Sequence, residues 1–96
     1  MGNRILIVGT YDTKDDELTY LAEVIRKQGG EALTMDVSVL GNPKAATDWS
    51  KHDVVATAGT TIETIVAAED ENIAMQAMAR GAALLAARII PCRWGA

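Results

Sequence analysis

Ile5-Leu6-Ile7-Val8-Gly9-Thr10-Tyr11-Asp12-Thr13-Lys14 is the stretch that decides the fold. Its first four residues are continuously apolar and mostly β-branched, the pattern of a strand buried on both faces. Gly9 then makes a turn, and a helix start follows with two hydroxyls, a carboxylate and an ammonium. Where a strand feeds a helix N-terminus in this way, unpaired N–H groups and the helix dipole face any bound anion. A phosphate or nucleotide ligand is therefore the first expectation.

Working outward, Thr13 or Asp15 is expected to cap the helix. Leu18, Leu21, Ala22 and Ile25 recur at i, i+3, i+4 and i+7, one apolar stripe for packing on a sheet. Gly29-Gly30 ends that helix, with Arg26 and Lys27 in the last turn, where cations suit the dipole. Ala32 to Val37 reads as a second strand, which closes a short right-handed strand–helix–strand unit. Gly41-Asn42-Pro43 is a turn. Ser50 with Asp53 three residues on resembles a capping box, with Asp in the usual Glu or Gln place. A helix is expected there, with a short third strand over Val54–Ala56 as the alternative. Thr61 can cap a short helix through Ala67. A longer helix runs from about Asp70 to Ile90, rich in small residues such as Gly81, and is stopped by Pro91. The reading is α/β: a small Rossmann-like parallel sheet, βαβ followed by several helices, in one partial domain over residues 1–96.

Composition narrows the function. Hydrophobic residues make up 49% of the 96, enough for a core, but there is no Phe and only two Tyr and two Trp, so that core is aliphatic. Nine Lys and Arg stand against thirteen Asp and Glu, net charge −4, and no basic stripe exists for a nucleic-acid backbone. One cysteine, Cys92, excludes an internal disulfide. The first residues are too short for a signal peptide. Gln76, Arg80 and Arg88 interrupt the late apolar run, which argues against a membrane span. The expected setting is the cytoplasm, with no membrane and no nucleic-acid partner.

The Gly9–Lys14 turn is no Walker A loop, because Thr13 stands where that motif needs glycine before its lysine. Nor is it a dinucleotide fingerprint, because positions 11 and 14 are Tyr and Lys. What remains is a single-glycine turn with the Thr10 and Thr13 hydroxyls and the Lys14 charge for phosphate. Asp12, Asp15, Asp16 and Glu17 oppose a bare phosphate. Asp12 is the candidate to hold Mg²⁺ between protein and phosphates, and the other three acids complement the helix N-terminus. Asp36 at the end of the second strand is a candidate ribose ligand, although it lies 27 residues past Gly9 where about 20 is usual. Its competing reading, shared with Ser38, is a turn residue that starts the next loop. His52 has no partner in view and reads as a surface residue. Met75 and Met78 read as core filling.

The run Val8-Gly9-Thr10-Tyr11-Asp12-Thr13-Lys14, with Glu17-Leu18, Asp36-Val37-Ser38 and Met78-Ala79-Arg80-Gly81-Ala82-Ala83, resembles the tobamovirus-resistance-like ATP-binding proteins. That resemblance covers the chain to about Ile89. It implies an ATP-binding α/β domain followed by a barrel-like domain, with Gly9, Thr10, Tyr11, Asp12, Thr13, Lys14, Asp36 and Ser38 around the nucleotide. Two departures stand out: Asp70-Glu71-Asn72 replaces an Asp-Arg-Gly, and Ile90–Ala96 replaces a further strand and glycine-rich loop. The expectation is a truncated, half-built nucleotide site. Unpaired sheet edges and uncovered helix faces then favour a homodimer or higher homo-oligomer. The alternative to nucleotide binding is a non-catalytic self-association module.

Overall fold

The computed structural model describes residues 4–44 and 46–89. The expectations placed on Pro91, Cys92 and the rest of the 90–96 tail lie outside them. The order of elements is β1 (Arg4–Gly9), α1 (Asp15–Lys27), β2 (Glu31–Asp36), α2 (Lys51–Thr57), α3 (Ile62–Ala67) and α4 (Glu71–Ile89). β1 and β2 pair in parallel, with Ile7 opposite Thr34 and Val8 opposite Met35. The α/β class and the strand–helix–strand opening are as the sequence reads.

The sheet carries a different apolar set on each face. Ile7 and Ala32 pack under Ala22, Leu18 and Ile25 of α1. On the opposite face Met35 joins Val54, Val55, Ile62, Ile65, Met78 and Leu85 from the three later helices, with Leu6 and Val37 against them. Alternation along each strand sends neighbouring residues to opposite faces, which is how six-residue strands serve two cores.

β2 is more enclosed than β1. Beyond β2, Trp49 forms an isolated parallel bridge to Met35. Asp36 N–H donates to Trp49 O at 2.9 Å, and Trp49 N–H donates to Thr34 O at 3.0 Å. Asp48 secures the bridge, since its Oδ2 accepts from Thr34 N at 2.8 Å and Thr34 Oγ1 at 3.1 Å. The other edge of β1 has no strand among the described residues. This corrects the expectation of a first strand buried on both faces: Ile5 is 41% and Val8 43% exposed. An apolar run records what a strand tolerates, and the neighbours that cover it are a tertiary matter.

The caps divide in the same way. Ser50 and Asp53 form a full capping box on α2, which settles Val54–Ala56 as helix. Thr61 caps α3 by accepting from Thr64 N–H. Neither Thr13 nor Asp15 caps α1: Lys14 occupies that position and makes no side-chain cap bond. Asp15 is drawn away, its Oδ2 accepting from Lys44 N–H at 2.6 Å and its Oδ1 from Thr19 Oγ1 at 3.0 Å. α4 buries Met78, Gly81 and Leu85, while Ile73, Met75 and Leu84 on other faces stay exposed. Its small residues thus serve one packed face, where Gly81 lies against the Val54 carbonyl of α2. Met78 is core, but Met75 is 69% exposed and does not fill it.

Candidate functional site

The turn after β1 and the loop after β2 lie side by side at the carboxyl ends of the strands. Open α/β sheets bind their ligands in that position. Val37 N–H donates to Gly9 O at 2.9 Å, extending the strand pairing into the turns. Asp36 then ties the two turns together. Its buried Oδ1 accepts from Tyr11 N–H at 3.3 Å, Ser38 N–H at 2.9 Å and Ser38 Oγ at 2.6 Å. Asp36 and Ser38 are 1% and 2% exposed, and Ser38 directs both its N–H and its hydroxyl to Asp36 Oδ1. Ser38 lines a cleft beside these turns, whereas Asp36 is not among the residues around it.

Asp12 makes a similar bond one loop further on, its Oδ2 accepting from Gly41 N–H at 3.2 Å. Gly41 is needed there because a Cβ would stand 2.7 Å from Asp12 Cβ. Lys51, buried at the start of α2, holds the same loop by donating to Val39 O at 3.3 Å and Gly41 O at 2.7 Å. An ammonium in that setting compensates the loop carbonyls that no backbone donor meets. Sequence reasoning missed Lys51. The Ser50–Asp53 capping pattern placed it on the first helical turn, but nothing in the pattern turns it inward.

A cleft of about 790 Å³ opens beside these loops. Thr10, Asp12, Thr13 and Ser38 form its polar end, and Val8 and Val37 line it from the sheet. Ile65, Met75 and Met78 make an apolar wall, and Glu69, Asp70 and Glu71 lie at the junction of α3 and α4. Glu69 takes a left-handed backbone, φ 52°. Asp70 is engaged in starting α4, its Oδ1 accepting from Asn72 N–H at 2.9 Å. Most of the exposed lining is carbon, so the cleft suits an apolar body better than a highly charged one.

The remaining residues of the turn are placed differently. Thr10 and Thr13 hydroxyls lie 3.3 Å apart. Lys14 is exposed at the head of α1 and is not among the residues around the cleft. Gly9 owes its lack of a side chain to packing, since a Cβ there would stand 2.6 Å from Leu18 Cδ1. Tyr11 points away from the cleft's lining and is 3% exposed. Burial, then the nearby carboxylates of Asp15, Asp36 and Asp48, raise its pKa, with Arg26 opposing, so the phenol stays protonated at neutral pH. Among the described residues no group of three or more His, Cys, Asp or Glu converges as a metal site. His52 is exposed on α2.

Comparison with known proteins sets this geometry in a family. The signature of the Uncharacterised protein family (UPF0261) N-terminal domain matches residues 3–92. The chain belongs to that family. It is 51% identical to a UPF0261 protein of Brucella suis biovar 1 over 82 residues, 85% of this chain and 20% of the relative. A UPF0261 protein of Clostridium tetani is 34% identical over 89 residues, 93% of this chain and 22% of that protein. The chain therefore spans about a fifth of the length of the curated relatives it matches. No solved structure matches. The UPF0261 assignment replaces the resemblance to the tobamovirus-resistance-like ATP-binding proteins. In this UPF0261 domain Gly9 clears space for Leu18 and Asp36 bonds to Ser38, so both residues have structural reasons to be where they are.

Proposed function

We propose that this UPF0261 domain is a non-catalytic interaction module that self-associates through its apolar cleft and the open edge of β1. The observation that carries this reading is the clustered apolar surface. Val8, Val66 and Met75 line the cleft and are at least 42% exposed, and Val8 also lies on the unpaired strand. Unpaired strand edges and contiguous apolar patches are surfaces that other chains cover. No helix among the described residues is long and apolar enough to cross a membrane, and the proposed setting is the cytoplasm. Light scattering at micromolar concentration is expected to give a dimer or larger species, and Val8→Lys to shift it to monomer. A monomeric wild type overturns the reading.

A second reading, nucleotide binding, has one observation in its favour. Thr10, Asp12, Thr13 and Ser38 gather at the end of the cleft nearest the carboxyl ends of the strands, the ligand position of open α/β sheets. ATP would place its phosphates there with Mg²⁺ on Asp12, whose Oδ2 is held by Gly41. Calorimetric titration with ATP and Mg²⁺ tests it. Saturable binding that Asp12→Ala weakens about tenfold supports the reading, and equal affinity in Lys14→Ala removes Lys14 from the site. A stable dimer that gives no binding heat leaves self-association as the function.

A further inference from the structure

Behind the turn, on the side away from the cleft, lies a second cavity of about 220 Å³. The Tyr11 hydroxyl is fully enclosed and has no hydrogen-bond partner among the described residues. Tyr11 lines this cavity together with Asp15, Arg26, Asp48 and the threonines 19, 34 and 47. A buried hydroxyl left unpaired carries a desolvation cost with nothing to offset it, so native proteins seldom leave one without a partner. The volume exceeds the roughly 30 Å³ share of one water several times over.

The lining carries both signs of charge, and that decides the ligand class. Arg26 donates one N–H to Ala32 O at 3.3 Å, which leaves other donors of its five-donor guanidinium for a carboxylate. Asp48 directs one oxygen, Oδ2, to Thr34 N and Oγ1, and among the described residues Oδ1 remains as an acceptor for an ammonium. Asp15 lines the same cavity, held in place by Lys44 N–H and Thr19 Oγ1. A simple anion entering the cavity meets two carboxylates, and a simple cation meets a guanidinium. A ligand with both charges answers every group.

We infer that this cavity binds a small zwitterion of the α-amino acid class, its carboxylate on Arg26 and the Tyr11 hydroxyl and its ammonium on Asp48 and Asp15. The phenol supplies the donor that an apolar ring would lack. Because Tyr11 N–H bonds to Asp36 and Asp15 begins α1, an occupant here bears on the same turn that forms the polar end of the cleft.

The test is titration of the isotopically labelled chain with glycine and L-alanine, followed by the amide resonances of Tyr11, Thr34 and Thr47. Saturable shifts by about 10 mM are expected. Acetate and methylamine, each carrying one of the two charges, are expected to bind at least about tenfold more weakly. Tyr11→Phe, which keeps the buried ring, and Arg26→Gln, at an exposed position, should each cost about tenfold in affinity while the amide spectrum stays folded. No saturable shift with either amino acid means a cavity that holds only water, and overturns the inference. Equal binding of acetate or methylamine overturns it too, as does unchanged affinity in folded Tyr11→Phe. Light scattering on the same samples keeps this result separate from self-association.

Discussion

Gly81→Val is expected to destabilise the domain by about 3 kcal/mol or more, the largest effect of any single change considered. Gly81 is buried in α4, and a Cβ built on it falls on the carbonyl oxygen and carbon of Val54 in α2. Those are backbone atoms near the centre of a short helix, so no side-chain rotation relieves the overlap. α4 must move away from α2, and Val55, Met78 and Leu85 lose contacts in the larger core. The change gains a few tenths of a kcal/mol in helix propensity, which cannot offset overpacking of this kind. A domain of this length has about 5–14 kcal/mol in total, so the loss is a large fraction. Thermal unfolding should show a fall in Tm of roughly 12–24 °C. Gly81→Ala provides the sharper check. Alanine is the better helix former by about 1 kcal/mol, so a variant more stable than wild type would show that the helices do not approach this closely.

Asp36→Ala is expected to cost about 3–4 kcal/mol for a different reason. One buried carboxylate oxygen accepts from Tyr11 N–H, Ser38 N–H and Ser38 Oγ. Removing it strands three donors where water has little access, and each such group costs about 1–3 kcal/mol. The individual costs do not add fully, because the freed loops relax together. Asp36→Asn keeps an oxygen acceptor in the same place and should lose only about 1–2 kcal/mol, the difference between a charge-assisted and a neutral bond. Urea denaturation reads both variants, with an unchanged m-value as the sign that the folded state is intact. A loss under about 1 kcal/mol in Asp36→Ala would mean that the two turns are held by strand pairing alone. If the prediction holds, the cleft's polar end depends on Asp36 for its shape without Asp36 touching any ligand.

The local signals in this chain were legible wherever the deciding interaction spans a few residues. Ser50 and Asp53 face each other across one turn of α2, and Thr61 and Thr64 do the same on α3. Of the stripe read as Leu18, Leu21, Ala22 and Ile25, Leu18, Ala22 and Ile25 pack on the sheet, while Leu21 is left 45% exposed. The cap of α1 was misread because Asp15 is engaged by Lys44, 29 positions away, and no window of sequence contains both. Lys51 was missed for the same reason, since its acceptors lie ten and twelve residues back in a loop whose path is set by Asp12.

The sequence by itself determined the α/β class, the parallel strand–helix–strand unit and two helix caps. These follow from periodicity and capping chemistry, which act over one or two turns of chain, whereas the need for glycine at 81 comes from the approach of Val54 in α2. Only the tertiary structure decided which groups the Gly9–Lys14 turn engages. It turned Asp36 inward to Ser38, set Asp12 against Gly41, left Lys14 outside the cleft and enclosed the Tyr11 hydroxyl beside Arg26 and Asp48. A carboxylate or a phenol has the same chemistry in any sequence. Its role depends on which donors and charges the fold carries to within about 3 Å of it.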